Sequence, residues 1–552
     1  MHDFRRVSDS SFDTDICIVG TGPAGLAIAH EFCNLPCRVL MIESGDLEPT
    51  SEVSALDRVE NVGALRQRDQ SLVRTRAFGG TSCVWNGRCA TLDPSDFEAR
   101  NWVPLSGWPI THAELAPYVT RAAGRLGLFP TTYDEALDAR LADGLPDPRA
   151  SWSTGLRSFC WQFSIDPHNA STAARCARSF RERNPRNVRV LLHATATHVE
   201  THPATGAVDW LEIRSLTGKI ARVRSKVLVL CTGGIETSRL LLASRRSSFS
   251  GESAGVGNQN DMVGRCFMDH PRCTLGHFEL PAAERVRPAF MLQRVDAAGR
   301  PRMFVRGLAL GAETQRRESL LSCAGWLSEH HAVDDPWTAI KRLARTRGRP
   351  GNLFQDLSAI GRQPRLAARQ LRRRFMDGRP VVHKIDGLDL VCDVEQSPDH
   401  NSRITLSDTC DALGMPLARI DWRIGELERR TVQRFAQLAV QTFERMGMPA
   451  PRLRETVRTG QFGLDDFIDV AHPSGTTRMA GDPRHGVVDE HCQVHGVDRL
   501  YVAGTSVFPS NGHVNPTLTL VALAIRLADR IKARYFERVS PSLARRSELA
   551  VP

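Results

Sequence analysis

The sequence predicts an α/β protein: a parallel, nucleotide-binding layer interleaved with a second unit built on a mostly antiparallel sheet plus helices. Two observations lead there. Strand-like runs at Ile16–Val19, Lys226–Leu230 and Leu500–Ala503 each end at a glycine turn, although they lie far apart in the 552-residue chain. Such corners can share one parallel sheet, with the intervening segments folding as a second unit. The stretch 385–422 alternates polar and apolar residues between turn residues, as antiparallel strands outside that layer do.

The first corner is the most specific. Gly20-x-Gly22-x-x-Gly25 follows a buried strand and opens a helix, and Glu43 ends the next strand 18 residues after Gly25. Glycines there allow a tight turn, backbone approach to a pyrophosphate and close helix–strand packing, the Rossmann-like arrangement. Glu43 is placed to accept hydrogen bonds from an adenosine ribose. The next motif, "RAFGGTSCVWNGRC" (Arg76–Cys89), has paired glycines at Gly79 and Gly80. They let the chain run close to a flat ring or phosphate. Its residues alone fit a surface turn equally well.

Near the C-terminus, "SNGHVNPTLTL" (Ser510–Leu520) reads as a helix start, with Asn515 as N-cap and Pro516 at the first helical position. The apolar residues Leu518 to Ile531 leave little polar face, so this helix is expected to be buried. Its N-terminus would bring partial positive charge to whatever it faces.

Composition sets limits. Hydrophobic content of 41% with 24% charged residues is ordinary for a globular protein, and no 18-residue apolar run suggests a membrane span. Arg5-Arg6 is followed by no apolar export segment, so a cytoplasmic location is expected. The 14 cysteines include no CxxC pair and no metal spacing, which predicts reduced thiols and no metal. Residues 341–379 carry twelve Lys/Arg against two Asp and account for the whole net charge of +10. They read as two short helices with basic outer faces. A solvated surface insertion is the simpler reading, and docking to an anionic membrane or acidic partner the sharper one. Few aromatics are interleaved, which disfavours nucleic acid.

Taken in order, the motifs resemble the glucose–methanol–choline (GMC) flavoprotein oxidoreductases over nearly the whole chain. The match runs through the first glycine motif with its acid, GGTS…NG, "LLHATATHVE", "LCTGGIETSRLLLAS", "VGRCFMDHP", "AHPSGTTRMAGDPRHGVVDEHCQVHGVDRLYVAGTSVFPS" and "NPTLT". Detail around Gly79–Trp85 and "SGWPITHAEL" is similar to the sugar-oxidising branch that includes pyranose oxidase and fructose dehydrogenase.

The resemblance implies FAD, with FAD-binding segments at 1–105, 189–268 and 469–552. Residues 106–188 would form a substrate or lid segment, and 269–468 a substrate domain with the basic insertion. Gly79, Gly80, Ser82, Asn86 and Gly87 would meet the flavin and pyrophosphate, and Ala196 the adenine. Thr232, Gly504 and Thr505 would complete the cofactor corners. Asn515, Pro516 and Thr517 would face the flavin near N1 and the C2 carbonyl. Relatives that attach FAD covalently carry His before the Trp; Val84 stands here, so the resemblance implies dissociable FAD. His472 would take the hydroxyl proton while the substrate carbon passes hydride to flavin N5, and Asn515 would orient the hydroxyl.

His513 has three open roles: substrate contact, spare base, or hydrogen bond to a neighbouring strand. His270, in MDHP, is expected to be structural. The activity implied is oxidation of a CH–OH group of a sugar, glycoside or cyclitol-like alcohol. The alternatives are a non-redox lyase of the same family and a peripheral respiratory dehydrogenase passing electrons to a quinone.

Overall fold

Strand β1 (Ser11–Val19) buries Ile16, Cys17, Ile18 and Val19 in succession, the continuous apolar run of a strand covered on both faces. The computed structural model to which it belongs describes residues 1–63, 70–128, 154–166, 169–245, 247–248, 251–252, 254–297, 300–346 and 353–536. From β1 the chain turns through Gly20 into α1 (Pro23–Glu31) and returns along β2 (Val39–Ile42), parallel to β1. β3 (Val188–Leu192) adds beyond β2. On the other side β4 (Ile220–Leu230) pairs with β1 and leads into α2 (Gly233–Ala243). β5 (Leu500–Val502) pairs with Leu228–Leu230 of β4. All these ladders are parallel, so the three glycine corners open at the same edge of one sheet.

The chain closes with α3 (Thr517–Tyr535), whose Leu518, Val521, Leu523, Ile525, Leu527 and Ile531 are buried. Its N-cap is Pro516, with no side-chain cap bond. This corrects the expected Asn515 cap: the helix starts one residue later, at Thr517, and the Asn515 side chain is left for other contacts.

A second sheet runs in the order Arg452–Leu453, Arg272–Glu279, Ile385–Val394, Cys323–His331, Arg300–Leu310, Leu156–Phe163 and Arg88–Cys89. Every one of these pairings is antiparallel. The helix Glu426–Arg445 packs Val432, Phe435, Ala436 and Phe443 into a core shared with this sheet. The stretch 385–422 divides between two sheets. Its first strand joins the large one, and Arg403–Cys410 with Pro416–Trp422 form a hairpin that Val59–Gly63 extends in parallel.

Among the described residues the basic segment holds three α-helices rather than two: Pro336–Thr346, Leu353–Arg362 and Pro364–Leu371. Pro364 cannot continue the preceding helix and starts a new one at its first turn. Parts of the expected segments 106–188 and 341–379 lie outside the described residues. Among the described residues no helix is long and apolar enough to cross a membrane.

Candidate active site

The first corner is built by steric need. Gly20 has φ +99°, and a Cβ on Gly25 would stand 2.0 Å from the Gly20 carbonyl oxygen, so α1 can approach β1 only without one. Gly22 differs: its φ is −67°, and a Cβ there would meet nothing within 4 Å. It faces a cavity of about 710 Å³ that Gly20, Gly22 and Glu43 line from this corner. Thr232 with Gly233 line the same cavity from the second corner, and Gly504 with Thr505 from the third. The N-termini of α1, α2 and α3 therefore converge there, the last through Pro516 and Thr517. Unpaired helical N–H groups and aligned dipoles make such a place receptive to anions.

Glu43 is buried, which raises its pKa, and Thr21 and Gly45 hydrogen-bond its carboxylate. Ala196 lines the adjacent wall. Here also lies a buried ion cluster that the sequence does not announce. Arg76 pairs with Asp57 at 2.9 Å and with Glu236 at 2.9 Å, Arg74 joins both acids, and Arg239 reaches Asp411 at 2.7 Å. Three arginines and three carboxylates cancel, so this end of the cavity presents no free charge from them.

The loop after Arg76 lies over the first corner, where a Cβ on Gly80 would come within 2.8 Å of Gly22 Cα. Gly80, Val84 and Asn86 line the cavity. Gly79 and Ser82 do not. Gly79 adopts φ +113°, and the Ser82 hydroxyl donates to the Gly79 carbonyl at 2.7 Å. Gly87 and Gly25 also stand behind the lining, Gly87 accepting from Ser164 N–H at 2.7 Å through its carbonyl.

At the opposite end, the segment 470–475 is laced to the corners. Asp269 Oδ1 accepts from the backbone N–H groups of His270 at 2.8 Å and His472 at 3.0 Å, and the Thr505 hydroxyl donates to the Pro473 carbonyl at 2.6 Å. His472 and Asn515 line the cavity, with His472 Nε2 3.4 Å from Asn515 Nδ2. Behind them, His472 Nδ1 lies 2.9 Å from His270 Nδ1. The partners set the tautomers. His270 Nε2 faces the carbonyl oxygens of Gly512 at 2.9 Å and Asn511 at 3.3 Å, so it carries a hydrogen. His270 Nδ1 then accepts, His472 Nδ1 donates, and the lone pair of His472 Nε2 points toward Asn515 and the cavity. Burial, with His270 second, holds the His472 pKa well below 6.5. A neutral imidazole whose Nε2 lone pair faces the cavity beside the Asn515 amide is equipped to accept a proton.

His270 thus touches the predicted base directly; its place in MDHP marked the segment but not this contact. Sequence reasoning also missed the far wall, where Arg88, Arg272 and Trp326 line the cavity. His513 stands outside the lining. Its Nδ1 is 2.6 Å from the Ser322 hydroxyl, beside the strand Cys323–His331, and its ring meets Phe159 edge-on. Burial pushes its pKa down to about 4.

A family model described as GMC oxidoreductase matches residues 398–524. A GMC-type oxidoreductase of Mycobacterium tuberculosis (strain CDC 1551 / Oshkosh) is 36% identical over 96% of this chain and 77% of its own length. The fructose dehydrogenase large subunit of Gluconobacter japonicus is 22% identical over 95% of this chain and 99% of its own. Among solved structures, formate oxidase superposes with a TM-score of 0.59 at 17% identity, covering 96% of this chain and 100% of the other, a likeness of fold.

Proposed function

The chain belongs to the GMC oxidoreductases, and on that premise we propose that it oxidises a CH–OH group of a sugar, glycoside or cyclitol-like alcohol to a carbonyl with FAD. The observation that carries the reading is the His472–Asn515 pair, set where the N-terminus of α3 enters a cavity that begins at the dinucleotide corner. The cavity fits the cofactor. Three helix N-termini suit a pyrophosphate, and the vacant Cβ space at Gly22 leaves room for it. In this reading, segments 1–105, 189–268 and 469–552 form the FAD-binding part. Gly20, Gly22, Thr232 and Gly504 hold the phosphates, Glu43 and Ala196 the adenosine, and Gly80 and Asn86 the ring. When bound, FAD supplies the acceptor for the electron pair that leaves the alcohol carbon.

The remaining steps belong to the chain. His472 Nε2 takes the hydroxyl proton, and Asn515 Nδ2 donates to the oxygen as negative charge develops on it. His270 keeps the His472 ring in the productive tautomer. Asp393, whose charge favours protonation of His472, steadies the cation formed. Val84 offers no nucleophile to the flavin, so FAD is held without a covalent bond.

An anaerobic screen of sugars, glycosides and cyclitols tests this by loss of the flavin band. Bleaching by at least one alcohol is expected. Turnover of substrate with the flavin band unchanged would instead identify the non-redox lyase.

A second reading concerns the basic segment as a docking face for an anionic membrane. Phe354 (88% exposed), Phe375 (71%) and Met376 (80%) project among its arginines, which a purely solvated insertion does not account for. Co-sedimentation with phosphatidylglycerol vesicles at low salt is expected, weakened by Phe354→Ser with Met376→Ser. Equal recovery with phosphatidylcholine vesicles would remove this reading.

A further inference from the structure

A second cavity of about 620 Å³ adjoins the first, and Asn86, Arg88 and Trp326 line both. Its inner side is formed by Phe163, Met303 and Val305 of the antiparallel sheet. Its outer side includes Trp337 together with Arg374 and Arg379, two arginines of the region that carries the excess positive charge of the chain.

At the junction the Arg88 guanidinium stands over two indoles, its carbon 3.8 Å from the Trp161 ring centroid and 4.1 Å from that of Trp326. Stacking occupies the faces of a planar guanidinium and leaves its N–H edge for a partner. Among the described residues no protein group takes that edge: Nε and Nη2 are buried without a hydrogen bond, and the residue is only 8% exposed. Two other buried arginines are matched differently. Arg100 pairs through two nitrogens with Glu395, and Arg239 reaches Asp411 at 2.7 Å. The carboxylate near Arg88, Asp393, is already held by Arg272 through bonds of 2.8 and 2.9 Å. Burial lowers the Arg88 pKa to about 9, which leaves it cationic at neutral pH. A buried cation whose donors have no acceptor is costly until a ligand supplies one.

We propose that this junction grips the acidic end of the substrate, a carboxylate or phosphate held by the free edge of Arg88, while the alcohol to be oxidised lies against His472. The inference rests on the alcohol-oxidation reading and narrows it to an anionic hydroxylated substrate. The basic outer wall draws such a molecule inward. A neutral sugar leaves Arg88 unsatisfied, and a site built for a polar group rejects the analogue that lacks it.

Trp161 and Trp326 report on the site by fluorescence. The FAD-loaded protein and its Arg88→Met variant are titrated with D-glucuronate, D-glucose 6-phosphate and D-glucose. At least one anion is expected to bind wild type about 10–100-fold more tightly than glucose, with that advantage lost in Arg88→Met. The tighter anion distinguishes carboxylate from phosphate. Arg88→Lys, which keeps the charge without the planar fork, is expected to retain part of the preference and serves if the Met variant does not fold. Equal affinity for glucose and both anions, no response to either anion, or an unchanged preference in Arg88→Met overturns the proposal. Binding and flavin bleaching are read separately. Bleaching by neutral alcohols without anion preference sinks this inference alone, whereas anion binding without bleaching by any alcohol sinks the oxidation reading.

Discussion

The side chain of His472 acquires its chemistry from two carbonyl oxygens it never touches. Gly512 and Asn511 fix the proton of His270, and His270 in turn fixes the proton of His472, leaving Nε2 as the acceptor. His472→Ala is therefore expected to keep bound FAD while slowing flavin reduction by about 10²–10⁴-fold, the usual contribution of a general base. Near wild-type reduction in stopped flow would remove the assignment. The depressed pKa gives a separate expectation. An ordinary histidine is half protonated near pH 6.5, but His472, held well below that by burial, remains neutral as the medium is acidified through it. The limiting rate of flavin reduction is thus expected to stay level from about pH 8 to about pH 6. A decline centred near 6.5 would mean that the imidazole is better hydrated than the fold implies. His472 and Asn515 were legible in the sequence because each sits in a compact motif. His270 was legible only as part of a motif, since its contact with His472 joins residues 202 apart.

The strand-to-glycine corner separates two uses of glycine that look alike in the sequence. Gly25 is required by packing, because its Cβ would stand 2.0 Å from the Gly20 carbonyl oxygen; Gly22 has no protein neighbour within 4 Å of that position. Gly25→Ala is accordingly expected to destabilise the protein by about 3 kcal/mol or more, the upper range for forced overpacking, seen as a lowered thermal midpoint. Gly22→Ala should fold normally and lose FAD, because its methyl group enters the space the pyrophosphate needs. If Gly22→Ala retained full flavin content, the phosphate site would lie elsewhere. The three corners were readable because strand, turn and helix each leave local signals within a few residues. The start of α3 lies one residue beyond the expected one, at Thr517, although propensity favours Asn515 over Pro516 as the cap. What decides the matter is Asn515 facing His472, a contact across 43 residues of chain.

At the scale of the molecule the chain returns to one cavity from β1, β4 and β5, which are neighbours in the sheet though separated by hundreds of residues. The far wall is assembled differently. Arg88, Trp161, Arg272, Trp326 and Asp393 come from five antiparallel strands, with Arg272 directly opposite Asp393 in register. No spacing in the sequence announces that meeting, so this half of the site was illegible, although "WNGRC" already contained Arg88. A cofactor held by all three returns binds only the folded chain, and its binding energy is then added to global stability. At free FAD about 100-fold above the dissociation constant, that linkage amounts to about 2.7 kcal/mol. For a chain of this size, whose unfolding entropy is large, it corresponds to a rise of about 2 °C in the thermal midpoint, roughly 1 °C per kcal/mol. Acid precipitation should release the flavin into a yellow supernatant, since Val84 offers it no covalent anchor. Gently stripped apoprotein should melt earlier than the holoprotein and recover when FAD is restored. Coincident melting of the two forms would mean that the corners hold together without the cofactor, and flavin retained in the acid pellet would reveal a covalent link from another residue of the cavity.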